Sequence, residues 1–125
     1  MHRFPRIMLG FLIVALALYA AAAGFMWANQ RKFMYFPDRA ILAPAAYGLE
    51  DFKEIVLDAQ DRVKLSLWHH APAEGFPTIV YFHGNGGHLG HRSTYFRLFA
   101  DAGFGLLGLD YRGYGNSQGT PTEAN

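Results

Sequence analysis

The stretch that decides the fold is Thr78 to Gly90, TIVYFHGNGGHLG. Its first five residues, Thr78 to Phe82, carry no charge and are β-branched or aromatic, which predicts a central strand covered on both faces. The turn His83-Gly84-Asn85-Gly86-Gly87 follows, and its three glycines let backbone N–H groups approach a ligand closely. Such a turn between a strand and a helix is typical of an oxyanion hole or of a cradle for nucleotide phosphates.

An uncharged apolar run, Ile7 to Ala28, lies near the start of the 125-residue chain. At about 1.5 Å per residue it is long enough to cross about 30 Å of hydrocarbon. Arginines precede it and aromatic and basic residues follow it, as expected at membrane boundaries. We predict a tail over residues 1–6 and a transmembrane signal anchor over residues 7–28. The lipid bilayer is then a partner, and the location is single-pass in a plasma or inner membrane, with the side left open.

The apolar run has two other interpretations. A cleaved secretory peptide would use the small residues Ala20-Ala21-Ala22, but the run continues to Trp27 and exceeds the roughly 7 to 15 residues of a signal-peptide core. A core helix of a soluble domain would need a polar outer face, and the run has none. A retained anchor is therefore favoured over both.

The overall composition argues against several classes of function. The formal net charge is +1 and basic residues crowd beside the apolar run, so the sequence shows no footprint for a nucleic acid. The sequence contains no cysteine, which excludes disulfides and thiolate metal sites.

The segment after the anchor, residues 29–51, has prolines and no sustained periodicity, which indicates a juxtamembrane linker. A domain then runs from residue 52 to residue 125. In its first part, apolar residues occupy every second position along two short segments, which predicts an antiparallel hairpin with one apolar face. The residues of that face are Ile55, Leu57, Ala59, Val63, Leu65 and Leu67.

A helix and a second buried strand are predicted after the glycine turn. Tyr95, Leu98, Phe99 and Ala102 recur at helical spacing and Gly103 follows as a helix stop. The strand Gly105 to Asp110 comes next, so the order strand, helix, strand predicts a parallel right-handed crossover. A hairpin that leads into such a unit defines an α/β architecture.

Two loops carry a resemblance to a known family. The loop Asp110 to Gly119, DYRGYGNSQG, taken with the turn HGNGG, resembles the α/β-hydrolase superfamily. From about Phe33 onwards the chain is most similar to its membrane-anchored Bem46-like group, related to the ABHD12 and ABHD13 proteins. The resemblance implies the N-terminal part of an α/β-hydrolase fold. It also implies a serine hydrolase of ester, thioester or amide bonds, with a small-molecule or acyl substrate and with no cofactor or metal.

The resemblance also assigns roles to individual loop residues. It implies that the oxyanion hole uses the backbone amides of Asn85 and Gly86. Residues that hold the two loops in shape are His83, Gly84, Gly87, Asp110, Arg112 and Gly113.

The segment Gly115 to Gly119 matches the pattern G-x-S-x-G, which in this superfamily surrounds the nucleophile. A nucleophile elbow must join a buried strand directly to a helix. Ser117 instead lies well beyond the end of its strand, behind polar and glycine-rich residues. We therefore interpret Ser117 as a structural loop serine.

The last residues predict the start of another helix, because Thr120, Pro121 and Glu123 provide an N-cap, a first-turn proline and a capping-box glutamate. We expect the chain to be a fragment that stops before the nucleophile elbow. In the family the nucleophile, acid and histidine follow in that order, so no triad residue is expected here. The histidines at positions 69, 70, 83, 88 and 91 are then assigned to packing, turn hydrogen bonds or the surface.

Three alternatives remain open at this point. A dinucleotide-binding domain would use Gly84, Gly86, Gly87 and Asp110, but the fingerprint would need a glycine at Leu89. A non-enzymatic membrane-anchored module is the second alternative. The third is a metal site at His83, His88 and His91, which is disfavoured because no carboxylate or thiolate lies nearby in the sequence.

Deleting residues 7–28 should release the protein from membranes, because that run supplies the buried apolar length. Extraction with alkaline carbonate measures this: the full chain should stay in the membrane pellet and the deletion variant should not. A full-length chain that washes off, or a mature protein that begins after Ala22, would contradict the anchor.

Overall fold

The computed structural model describes residues 3–40 and 43–123. The chain divides into two compact units, Met1–Met34 and Tyr35–Asn125. The described part of the first unit is helix α1 (Arg3–Met34). The described elements of the second unit are strands β1 (Phe36–Pro37), β2 (Lys53–Asp58), β3 (Lys64–His70), β4 (Thr78–Phe82), β5 (Gly86–Gly87) and β6 (Gly105–Leu109), helix α2 (Ser93–Asp101), and 3-10 turns at Pro44–Tyr47 and Leu89–Arg92.

Helix α1 contains the apolar run and extends beyond its predicted end at Ala28. The segment Pro5–Met34 is long and apolar enough to cross a membrane, by length and composition. Its large apolar side chains are exposed. Arg31 and Lys32 occupy its last turn, where positive charges interact favourably with the helix dipole. The structure therefore contains the expected candidate for a membrane span.

Residues 35–51, interpreted from the sequence as linker, form part of the second unit. Strand β1 pairs in parallel with β5, in the register Phe36↔Gly86. The turn Pro44–Tyr47 ends at Gly48, which has a left-handed φ of 73°, and Leu49 is fully buried. Proline and glycine here shape turns that pack on the domain.

A four-stranded mixed sheet in the order β2-β3-β6-β4 forms the centre of the second unit. The hairpin β2–β3 is antiparallel, as predicted, and β3 also pairs antiparallel with β6. Strands β4 and β6 are parallel, in the register Thr78↔Gly105 to Phe82↔Leu109. Since α2 connects these two strands, the predicted crossover unit is present.

Strand β4 is not covered on both faces, contrary to the prediction. Within the described residues it has a neighbouring strand, β6, on one side only. Val80 and Phe82 are 56% and 59% exposed, whereas Ile79 and Tyr81 pack against the core. An uncharged β-branched run identifies a strand, but its coverage depends on elements elsewhere in the chain.

The buried face of the hairpin is also the opposite of the predicted one. Ser66 and Trp68 are buried, whereas Leu65 and Leu67 lie on the more open face. Trp68 packs against Tyr47, with ring centroids 5.7 Å apart. Trp68 is the largest side chain of β3, and its burial removes a large apolar surface from water.

The face by which helix α2 packs differs from the predicted stripe. Phe96 and Ala100, four residues apart, are buried, while Tyr95 and Leu98 are exposed. The Phe96 ring lies edge-on to Tyr81 at 5.2 Å. It also approaches Gly108, where a β-carbon would lie 3.0 Å from the ring. A glycine in β6 thus makes room for the phenylalanine.

Replacing Phe96 by alanine should cost about 3–5 kcal/mol, because it leaves a cavity under the sheet. Tyr95→Ala, one residue earlier on the exposed side, should change the stability by less than about 0.5 kcal/mol. Hydrogen exchange at the β6 amides of the detergent-solubilised chain measures both. Equal costs would contradict the packing face described for α2.

Candidate active site

The glycine-rich turn after β4 is held by main-chain bonds to residues just upstream of the domain's sheet. The Phe36 N–H donates to Asn85 O at 2.9 Å, and the Asp38 N–H donates to Gly87 O at 3.3 Å. Gly87 has a φ of 82°, and a β-carbon there would collide with the His91 ring. Only glycine suits this position, which explains one of the three glycines in the turn.

The His83 side chain orients the Gly84–Asn85 peptide, which carries the first of the two N–H groups predicted for the oxyanion hole. His83 Nδ1 lies 2.7 Å from Gly84 O, to which it donates a hydrogen bond. In a trans peptide the N–H points away from the C=O, so the Asn85 N–H is directed away from this bond. Among the described residues the Asn85 N–H has no hydrogen-bond acceptor. It is therefore free to bind an oxygen of a ligand.

The second peptide is held in the same manner. Asn85 O accepts hydrogen bonds from the Phe36 N–H at 2.9 Å and from the Tyr114 hydroxyl at 2.7 Å. The Gly86 N–H belongs to this peptide and so points away from both donors. The directions of the Asn85 and Gly86 N–H groups are thus fixed, because the carbonyl oxygens of the same two peptides accept hydrogen bonds.

A cavity of about 230 Å³ adjoins this turn. Its lining includes His83, Asn85 and Arg112, which were predicted as site or loop-shaping residues, and five residues to which no role in the site was predicted. Those five are Tyr35, Tyr111, Tyr114, Pro121 and Thr122. Burial raises the pKa of both Tyr111 and Tyr114, so their hydroxyls are neutral donors at physiological pH.

Asp110 connects the turn to the loop after β6. Its carboxylate is buried and accepts the Leu89 N–H at 2.9 Å. Its Oδ1 also lies 3.4 Å from His83 Nε2. Gly115 packs directly on this carboxylate, where a β-carbon would collide with it. The predicted structural residues His83 and Asp110 are therefore neighbours in space.

The loop of residues 112–119 is fixed by two arginines. Arg112 makes a bidentate ion pair with Asp61, at 2.6 and 3.0 Å, which lowers the pKa of the Asp61 carboxyl. Arg39, which the sequence analysis did not single out, donates to Gly113 O at 3.1 Å and to Gly119 O at 2.8 Å. Gly113 has a φ of 81°, a conformation that favours glycine.

Ser117 has a structural environment. It is buried, and its Oγ donates to Asp110 O at 2.6 Å and accepts the Ser66 N–H at 2.8 Å. These two bonds join β3 to the loop after β6. This geometry agrees with the interpretation of Ser117 as a loop serine.

His70 and His88 make packing and turn-forming contacts. His70 lies 3.2 Å from an Asp51 carboxylate oxygen and stacks on Phe52. His88 Nδ1 accepts the Gly90 N–H at 3.0 Å, and burial lowers the pKa of the His88 imidazole. A carboxylate does lie near two of the histidines in space, although none is close to them in the sequence, since Asp38 lies beside His88 and His91.

Comparisons with known proteins agree with this architecture. No protein-family model matches the chain. The Bem46 protein of Schizosaccharomyces pombe is 34% identical over 123 residues, a match that covers 90% of this chain and 40% of that protein. The lysophosphatidylserine lipase ABHD12 of Xenopus tropicalis is 28% identical over 146 residues, covering 91% of this chain and 37% of that protein.

The solved structure of the Pyrococcus furiosus esterase Pf2001 superposes with a TM-score of 0.53 at 22% identity, over 70% of this chain and 35% of that one. The fold and these relatives assign the chain to the α/β-hydrolase superfamily. Its sheet contains antiparallel pairs, which argues against the dinucleotide-binding alternative. Within the superfamily the chain is a Bem46- and ABHD12-like protein, and it spans 40% of the length of the yeast relative.

Replacing Tyr114 by phenylalanine should loosen the Asn85–Gly86 peptide, because it removes one of two donors to Asn85 O. The expected cost is about 0.5–1.5 kcal/mol, seen as up to about tenfold faster exchange of the Phe36 amide. Tyr111→Phe is the matched control, since that hydroxyl has no hydrogen bond within the described residues. Unchanged exchange in Tyr114→Phe would show that the hydroxyl does not hold the turn.

Proposed function

We propose that the chain supplies the oxyanion-stabilising part of a membrane-anchored serine hydrolase that cleaves ester, thioester or amide bonds. The observation that supports this most directly is the pair of successive peptides whose carbonyls are bonded to His83, Phe36 and Tyr114. Their N–H groups, on Asn85 and Gly86, are the donors of the proposed site.

The chemistry of acyl transfer requires such donors. When a serine attacks a carbonyl carbon, negative charge develops on the carbonyl oxygen, and fixed N–H groups stabilise that charge. Because His83 and Tyr114 hold the peptides before substrate binds, the donors need little rearrangement during the reaction. One oxyanion donor is worth about 10²–10³ in kcat.

The catalytic triad of this hydrolase lies, in our proposal, in residues that follow position 125. The chain spans 40% of the yeast relative, and the superfamily order places nucleophile, acid and histidine after the loop at Asp110. An oxyanion hole supplies neither nucleophile nor base. The 125 residues alone should therefore have no hydrolase activity.

The anchor and one relative support a proposal for the substrate class. Helix α1 is proposed as a retained single-pass anchor, in a plasma or inner membrane, with the domain on a side that remains to be assigned. The ABHD12 relative is named as a lipase for a lysophospholipid. We propose an acyl substrate that partitions into or near the bilayer, with neither a cofactor nor a nucleic acid as partner.

The test uses the protein extended through the residues that follow position 125. Asn85→Pro removes the proposed donor and should lower kcat for a p-nitrophenyl ester about 10²–10³-fold with little change in KM. Asn85→Ala keeps the backbone N–H and should stay within a few-fold of the parent. Circular dichroism and thermal melting establish that both variants fold.

Two further results bear on the same proposal. The coding sequence after codon 125 should contain a strand, a G-x-S-x-G elbow and a helix roughly 30 residues on, one crossover unit away. Its absence from all three reading frames would refute the hydrolase assignment. Turnover by the 125-residue chain that is lost in Ser117→Ala would refute the structural role of Ser117.

A further inference from the structure

Three side chains from two distant segments of the sequence converge beside the glycine-rich turn. Asp38 Oδ2 lies 3.4 Å from His91 Nε2 and 3.7 Å from His88 Nε2. One ligand atom from each of the three residues lies within 4.8 Å of those of the other two. Adjacent ligands of a tetrahedral Zn²⁺ ion at about 2.0–2.1 Å are separated by about 3.4 Å, so the two Asp38 distances suit one shared ion.

Each of the three side chains is positioned by the fold. Asp38 follows strand β1, and its Oδ1 accepts the Ala40 N–H at 3.1 Å, which leaves Oδ2 towards the histidines. The His91 ring lies over Gly87, where any side chain would displace it. His88 is buried against Tyr47, with ring centroids 5.5 Å apart.

We propose that Asp38, His88 and His91 bind a divalent transition-metal ion of the Zn²⁺ class. Two imidazoles and one carboxylate form a borderline donor set, which suits zinc and its neighbours and does not suit Mg²⁺ or Ca²⁺, both of which prefer all-oxygen sites. Water completes the coordination. No ligand of this site belongs to the proposed oxyanion donors.

Metal binding through Nε2 changes both hydrogen bonds of the His88 ring in a defined way. In the metal-free chain His88 Nδ1 accepts the Gly90 N–H, so the ring proton is on Nε2, 3.2 Å from the Tyr47 hydroxyl. Coordination through Nε2 moves that proton to Nδ1, which then has no lone pair for Gly90. The Gly90 amide therefore loses its acceptor when the ion binds, whereas the Leu89 amide keeps Asp110.

The role of the ion follows from the segments that it joins. Asp38 lies after β1, and the two histidines flank the 3-10 turn that follows β5. Strands β1 and β5 are two residues long and hold the turn through few bonds. An ion that binds only the folded arrangement would stabilise this pairing and raise the melting temperature of the domain.

The test uses the tag-free full chain in detergent micelles, depleted of metal and titrated with Zn²⁺ against a chromophoric chelator. We expect one ion per chain, no competition by millimolar Mg²⁺, and a visible absorption band when Co²⁺ replaces Zn²⁺. Asp38→Asn, His88→Gln and His91→Gln should each weaken binding at least about tenfold, since even outer-shell changes cost about 10- to 100-fold.

A matched control is available in the same chain. His70 pairs with Asp51 at 3.2 Å but has no second histidine, so His70→Gln should leave Zn²⁺ affinity unchanged. His91 is half-exposed, so its substitution should not disturb folding. Equal loss in His70→Gln, no loss in His91→Gln, or a Gly90 amide whose exchange in Zn²⁺ is not accelerated relative to that of Leu89 would each overturn the site.

Discussion

The buried carboxylate of Asp110 is the constraint on which the arrangement of both loops depends. An ionised carboxylate is costly to bury unless donors surround it. Leu89 donates its N–H to Asp110 Oδ1 at 2.9 Å, and the His83 ring packs beside the same oxygen, with Nε2 at 3.4 Å. The main chain of the same residue bonds to Ser66 O and to the Ser117 hydroxyl. One residue thus joins the turn after β4, strand β3 and the loop after β6.

The sequence predicts which segments are strands and helices better than it predicts which face they bury. The β-branched and aromatic run TIVYF identifies β4, the alternation of apolar and polar residues identifies β3, and the uncharged apolar run GLLGL identifies β6. Both faces of β3 carry large apolar side chains, so alternation alone could not decide between Leu65 and Trp68. Helix α2 has the same ambiguity, with Phe96 buried and Tyr95 exposed. Each choice depends on rings that other segments contribute to the core.

The candidate site was also predictable only in part. Its loops were predictable, because His83 and Asp110 follow two strands whose carboxyl ends meet at one edge of a parallel pair. The residues that hold those loops were not. Arg39 and Asp38 reach the site through β1, a strand of two residues that has no periodicity to detect. Tyr114 carries no signal of its partner, a carbonyl in a distant turn.

Because β6 lies between β3 and β4, β4 cannot join the sheet until β6 has been synthesised. A ribosome extends a nascent chain at about 5–20 residues per second, so the hairpin β2–β3 emerges first and can close locally. Strand β4 emerges next but pairs only with β6 among the described strands. For a time on the order of seconds its apolar side chains have no partner strand while synthesis continues. During that interval the apolar side chains of β4 are open to contacts that the finished sheet does not contain.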